Sequence, residues 1–252
     1  MTDATDLAAD LALARSLAAA ADRTALRERA AGVRTETKAD GTPVTNVDLA
    51  VDRVLVDALR AERSHDAILS EESGLHEGSG RRWILDPIDG TFNLVAGHAH
   101  WGTHVALEVD GVVVAGVITR PMLGVHWWAT LRGGAFRDGG AGPTRLRVSD
   151  RTDVAGAELR LWSSDAGHAA AIRAATAWTD ADMNDVLGVA EGRCDAVIGC
   201  PGEIWDHAPN LLLVEEAGGR FRDEQGGHRI DVGRATYSNG VIDIALAALL
   251  DG

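Results

Sequence analysis

The chain has 252 residues, 46% of them hydrophobic and 25% charged, enough for one large domain or two closely packed halves around a sizeable core. Acidic residues outnumber basic ones 38 to 24, a formal charge of −14, which argues against nucleic-acid binding, where Lys and Arg must meet phosphate. Two cysteines make no disulfide framework and cannot alone complete a structural zinc site, and no apolar run approaches the ~20 residues that cross a bilayer, so no membrane partner is expected.

The N-terminus carries Asp3, Asp6 and Asp10 and lacks the positive region of a signal peptide, so a cytoplasmic location is expected. Leu7 to Arg34 is rich in Ala, Leu and Arg and predicts a helix. Lys38-Ala39-Asp40-Gly41-Thr42-Pro43 predicts a loop. Val47, Ala50, Val51, Val54, Leu55, Ala58 and Leu59 share one helical face, with Thr45 or Asn46 as N-cap. Ala67 to Ser70 predicts a short buried strand ending at Glu71-Glu72-Ser73-Gly74, and Trp83-Ile84-Leu85 a second ending at Asp86-Pro87-Ile88-Asp89-Gly90-Thr91. Strands over Thr103–Val109 and Val112–Thr119 flank the hairpin signal Asp110-Gly111, with Val125–Thr130 a third neighbour in an antiparallel sheet. The Gly-rich stretch 133–143 sets a boundary between halves 1–140 and 141–252, which pack as one compact unit. The second half alternates apolar runs (Leu159–Trp162, Ala196–Ile198) with helices (Asp185–Glu191, Ala208–Ala217).

The chemistry concentrates in carboxylates. Asp86 and Asp89 sit three apart at a turn where Pro87 fixes its φ and Gly90 permits close approach of a ligand, so both can converge on hard cations. Thr91 and Phe92 open a helix whose free N–H groups suit phosphate. Glu71 ends the neighbouring short strand, which delivers it to the same sheet edge as Asp86. Asp206 precedes an apolar helix and serves either as its N-cap or as a metal ligand. His98, His100 and His104 recur at even spacing, on one face if they lie on a strand; glycines around them suggest loop, and packing or pocket contacts are favoured over a metal role. His207 is read as lying behind Asp206 or exposed, Trp205 as packing beneath that helix, both cysteines as core, and the seven tryptophans as core and subunit-interface residues.

Four segments in order carry a resemblance over nearly the full length: Lys38 to Asp48, Leu69-Ser70-Glu71-Glu72-Ser73-Gly74, Trp83 to Asn93, and Trp205-Asp206 running on to Val214-Glu215-Glu216-Ala217-Gly218-Gly219. The chain resembles the inositol monophosphatase superfamily. The first three blocks and Trp127-Trp128-Ala129 look most like actinobacterial histidinol-phosphate phosphatases. The resemblance implies an α+β fold with α/β/α/β/α layers, a homodimer, and a Mg²⁺-dependent phosphomonoesterase acting on a small phosphorylated metabolite. It implies that Glu71, Asp86, Asp89, Asp206 and the Ile88 carbonyl bind two or three Mg²⁺, a third and weaker ion lying near Asp48. It also implies that Glu71, Thr91 and Asp89 are catalytic, that Glu71 and Thr91 orient a water for in-line attack, and that the N–H groups of Gly90 and Thr91 hold phosphate.

The sequence departs from the family on the alcohol side. The stretch Thr179 to Asp185 replaces a common Arg-x-x-Gly-(Ser or Asp)-Ala-like segment. Gly199 stands where relatives often place a substrate-binding Glu, and Phe92 where Lys or Thr is usual. Phe92, Asp182, Asp185 and Glu203 are therefore the pocket candidates. Histidinol phosphate is the nearest suggested substrate; an inositol or sugar phosphate, a nucleotide, a specialised metabolite, or a non-catalytic binding role are the alternatives.

Overall fold

A computed structural model describes residues 4–162, 177–180 and 182–250. Ala181, within the departing stretch, lies outside the described residues. The first helix, α1 (Ala4–Ala31), begins and ends three residues earlier than its composition suggests. A small ribbon, β1 (Thr35–Thr37) with β2 (Pro43–Thr45), leads into α2 (Asn46–Glu62). Thr45 is the N-cap: its hydroxyl accepts from the Val47 and Asp48 N–H groups, while the Asp48 carboxylate reaches back to the Thr45 N–H. This reciprocal pairing satisfies donors that a helix start otherwise leaves free. The apolar face of α2 is fully buried at Val47, Val51, Leu55 and Leu59, each contributing about 1.5–3 kcal/mol of burial.

The large sheet holds eight strands. In chain order they are β3 (Ala67–Ser70), β4 (Gly74–His76), β5 (Arg81–Asp89), β6 (Gly102–Val109), β7 (Val112–Arg120), β8 (Val125–Thr130), β9 (Gly134–Asp138) and β10 (Thr144–Arg145), with the short helix α3 (Thr91–Val95) between β5 and β6. They lie side by side as β10-β9-β8-β7-β6-β5-β3-β4. All neighbours are antiparallel except β3 and β5. The β6–β7 turn has positive φ at both Asp110 (52°) and Gly111 (80°), as a tight two-residue hairpin demands.

The small sheet has the order β12-β11-β13-β15-β14, built from β11 (Glu158–Leu161), β12 (Ala177–Asp180), β13 (Ala196–Pro201), β14 (Arg220–Asp223) and β15 (Arg234–Ser238). Helices α4 (Asp185–Ala190), α5 (Ile204–Glu216) and α6 (Asp243–Leu250) are the remaining helices among the described residues. Three apolar clusters define the layers. The first joins α1 and α2 to one face of the large sheet through Leu17, Leu55, Trp83, Val105 and Val117. The second sandwiches α4 and α5 between the sheets, with Ile84, Ile118 and Trp127 on one side and Val197, Phe221 and Tyr237 on the other. The third packs Ile242 and Leu246 under Leu159 and Ile198. The result is the α/β/α/β/α layering the resemblance implied. No helix among the described residues is long and apolar enough to cross a membrane.

Gly116 on β7 lets α5 lie close against the sheet: a Cβ there would come within 3.2 Å of Pro209 Cα. That contact brings the start of α5, with Asp206, toward the end of β5. Cys194 is buried, but Cys200 is only half-buried at the end of β13, and both are free thiols. The core expectation therefore holds for Cys194 alone.

Candidate metal centre

On an unbroken strand Asp86 and Asp89 would point to opposite faces, since only alternate residues share one. The β5–β6 register slips between them. Asp86 pairs with His104 and Asp89 with Gly102, three steps on one strand against two on the other. The surplus residue makes a bulge at Pro87-Ile88, where Pro87 has no N–H to give the ladder. The bulge reverses the parity, so both carboxylates face the same side. Ligand atoms from Asp86, Asp89, His104 and Asp206 all lie within 4.8 Å of one another. Asp206 is the third residue of α5, not its N-cap; its Oδ2 accepts from the N–H of Glu203 at 2.7 Å.

Glu71 arrives from the other side. Ser70 pairs with Leu85 in the parallel β3–β5 ladder, and the Glu71 N–H donates to the Leu85 carbonyl at 3.1 Å. The next pair along is Glu71 and Asp86, and Glu71 is among the groups that raise the Asp86 pKa. Lys38 Nζ holds Glu71 Oε1 at 2.7 Å and Glu72 Oε1 at 2.8 Å. Burial, the largest influence, pushes Glu72 up to about 7 despite that ammonium.

The carboxylates are tuned in opposite directions. Burial, reinforced by Glu71, Asp89 and Asp206, pushes Asp86 well above the ordinary range. Burial, followed by the charge of Asp89, lifts Asp206 to about 8. Burial acts upward on Asp89 too, but His104 and Arg120 outweigh it and hold Asp89 down at about 2. Arg120 Nη2 donates to Asp89 Oδ2 at 2.8 Å, and His104 Nε2 lies 3.1 Å from the same oxygen.

Such a cluster suits a divalent cation. Asp86 Oδ1 is buried with no hydrogen-bond partner, which is costly unless something positive completes it. The carboxylates are hard donors of the kind Mg²⁺ takes, and the imidazole is the one softer group. The buried Ile88 carbonyl belongs to the same bulge. The Thr91 hydroxyl lies 2.8 Å from Asp48 Oδ1 and 3.1 Å from that carbonyl; its single proton serves one of them at a time. Asp48 Oδ2 accepts from the Thr45 hydroxyl and N–H. Both Asp48 oxygens thus already have protein partners.

Gly90 has φ of 86°, and a Cβ there would meet Met183 Cε at 2.5 Å and the His100 carbonyl at 3.0 Å. Only glycine fits this turn and this approach. Phe92 is 72% exposed beside the turn. Asp182 and Asp185 close a turn of their own: Asp185 Oδ2 accepts from the Asp182 N–H, and Asp182 Oδ1 from the Asn184 N–H. Glu203 is exposed at the head of α5, and the Gly199 carbonyl accepts from Arg234 at 3.0 Å.

Of the three spaced histidines, only His104 lies on a strand; His98 and His100 precede β6. His207 is buried, not exposed, with Nδ1 2.8 Å from the Tyr237 hydroxyl, and burial holds it down at about 4. Trp205 packs partly buried against the cluster between the sheets. The sequence reading missed Arg120. Its signal was present, since Arg120 is the single charged residue in the run Val112 to Leu123.

Comparisons with known proteins agree with this architecture. The model of the "Inositol monophosphatase family" matches residues 4–250. A Streptomyces griseus protein named glucose-1-phosphate thymidylyltransferase is 41% identical, the match covering 98% of each chain. A histidinol-phosphatase of Mycobacterium tuberculosis is 38% identical over 92% of this chain and 94% of its own. Among solved structures, the extragenic suppressor protein suhB from Bartonella henselae superposes with a TM-score of 0.84 at 28% identity, covering 96% of this chain and 98% of that one. The chain belongs to the inositol monophosphatase family.

Proposed function

We propose that the cluster holds Mg²⁺ and that the protein hydrolyses a small phosphorylated metabolite, with histidinol phosphate the first substrate to try. The observation that carries this reading is the convergence of Asp86, Asp89, His104 and Asp206 within 4.8 Å, with Asp86 Oδ1 buried and unpartnered. Asp86, Asp89, Asp206, Glu71 and the Ile88 carbonyl would hold the metal. When bound, Mg²⁺ supplies the charge that neutralises a phosphate dianion and makes water more acidic.

The chain's own groups do the rest. Glu71 and Thr91 orient the attacking water, Thr91 being aligned by Asp48 and the Ile88 carbonyl. The N–H groups of Gly90 and Thr91 would hold the phosphate, while the side of Gly90 on which a Cβ would stand is filled by Met183. The 38% identity to a histidinol-phosphatase supports that substrate, whereas Gly199 offers no side chain to bind a polyol.

The test is phosphate release from histidinol phosphate, inositol 1-phosphate, sugar phosphates and nucleotide monophosphates, with and without exhaustive chelation. Full activity after chelation would overturn the metal role. A strong preference for inositol 1-phosphate would overturn the reading of Gly199. A parallel assay with dTTP and glucose 1-phosphate examines the reaction named for the Streptomyces griseus relative; formation of dTDP-glucose and pyrophosphate in place of hydrolysis would displace the proposal.

A further inference from the structure

Arg120 sits at the end of β7, 1% exposed, and its guanidinium reaches two parts of the molecule that come from different halves. Nη2 donates to Asp89 Oδ2 at 2.8 Å. Nε donates to Asn184 Oδ1 at 3.0 Å. A third bond, Nη1 to the Thr119 carbonyl at 3.0 Å, fixes the fork to its own strand. Asn184 belongs to the turn that opens α4, and the residue before it, Met183, lies against the Gly90 loop. There the Asn93 amide donates to Met183 Sδ at 2.7 Å. The turn is closed internally by the Asp182–Asp185 and Asp182–Asn184 bonds, and Arg120 joins it to the Asp89 carboxylate.

We propose that Arg120 is a positioning residue that ties the metal-site carboxylate Asp89 to the 182–185 turn and thereby sets Met183 over the Gly90 loop, on the side where the alcohol of the substrate lies. A planar guanidinium serves both acceptors from two different nitrogens held in a fixed fork, whereas a lysine ammonium carries its donors on one nitrogen and cannot reproduce that fork. The arrangement makes the substrate side of the site depend on the metal side. It also places a thioether where a polar segment is common in the family, which favours an alcohol with an apolar or aromatic face. The kinetic part of this inference rests on the phosphatase reading; the tether itself does not.

The test therefore begins with a readout independent of turnover. Hydrogen exchange is followed by mass spectrometry across peptides covering 182–190 and 89–96 in wild type, R120K, N184A and the double variant. Loss of one hydrogen bond to a charged group should speed exchange in 182–190 by roughly tenfold or more. R120K and N184A should do so equally, and the double variant should add nothing, because each cuts the same link. Exchange in 182–190 equal to wild type in either single variant would overturn the tether, as would effects that add in the double variant. On the same samples, the ratio of kcat/KM between histidinol phosphate and inositol 1-phosphate should shift in one common direction in all three variants. An unchanged ratio would overturn the specificity role. A wild type with no turnover would count against the phosphatase reading and leave the exchange result standing.

Discussion

Asp89 and Asp206 face each other across the cluster, yet they are held at opposite ends of the carboxylate range, about 2 and about 8. Both are deprived of water, so burial alone cannot separate them. What separates them is the company each half of the chain supplies. Strands β7 and β6 bring Arg120 and His104 to Asp89. The start of α5 brings Asp206 only a backbone N–H against the negative field of Asp89 and Glu71. One side of the site carries its own cation, Arg120, and the other sets Asp206 beside carboxylates. The unsatisfied side, Asp86 with Asp206, is where an incoming ion gains most.

The largest effect is therefore expected at Asp86. Asp86→Asn removes the charge facing the unpartnered side without changing volume. Turnover should fall by more than the ~10–100-fold that loss of a group behind a metal ligand costs, and calorimetry should show Mg²⁺ affinity falling with it. A variant that keeps wild-type Mg²⁺ affinity would place the ion elsewhere and dissolve the contrast between the two sides.

A second effect follows from the raised groups. Near pH 7 without metal, Asp206 holds a proton that Mg²⁺ must displace. Apparent Mg²⁺ affinity should thus weaken as pH falls below about 8, by about tenfold per unit for each proton released. The stability of the metal-free protein runs the other way. A carboxyl raised in the folded state binds a proton that the unfolded chain has lost, so this contribution is present below the ordinary carboxylate pKa and disappears as pH rises toward 8. Asp89, depressed to about 2, has the opposite sign: its contribution is present above the ordinary pKa and lost in strong acid. Chelated protein melted from pH 6.5 to 8, above the range in which His207, held down at about 4, makes stability rise with pH, should lose stability as pH rises, and Mg²⁺ should reverse the trend. A flat profile would mean that Asp206 is not raised.

Much of this was legible in the sequence because the chemistry needs particular residues at strand ends. Glu71 and Asp86 each close a short apolar run, and two adjacent parallel strands bring such ends together. The layered fold followed from the family blocks, and the Asp110-Gly111 hairpin from its own turn chemistry. Less legible was whatever depends on pairing. Nothing local says that Pro87-Ile88 is a bulge, yet the bulge decides whether Asp86 and Asp89 share a face. Arg220–Asp223 and Arg234–Ser238 were not anticipated as strands, since both are short and carry arginines. For Asp206 an N-cap stood beside the metal-ligand reading because the apolar run of its helix begins at Ala208, whereas the helix itself starts at Ile204 and puts Asp206 in its first turn. Arg120 was missed because its function lies in a contact with Asn184, 64 residues away.

The smallest effect isolates a carboxylate that belongs to neither side. Asp48 has a hydrogen-bond partner on each oxygen: Oδ2 takes the Thr45 hydroxyl and N–H, and Oδ1 faces Thr91. Thr45→Ala removes the hydroxyl that caps α2 and one of the donors fixing Asp48. Loss of such a cap costs about 1 kcal/mol, measurable by urea denaturation, and Thr45→Ser should recover most of it. Because the substitution leaves Asp89, Asp206 and Arg120 untouched, Mg²⁺ affinity should stay within about tenfold, the upper end of what one hydrogen bond of ordinary worth can shift. If Thr45→Ala instead weakened Mg²⁺ binding as strongly as Asp86→Asn, Asp48 would be a ligand in its own right, and the cluster would have three sides rather than two.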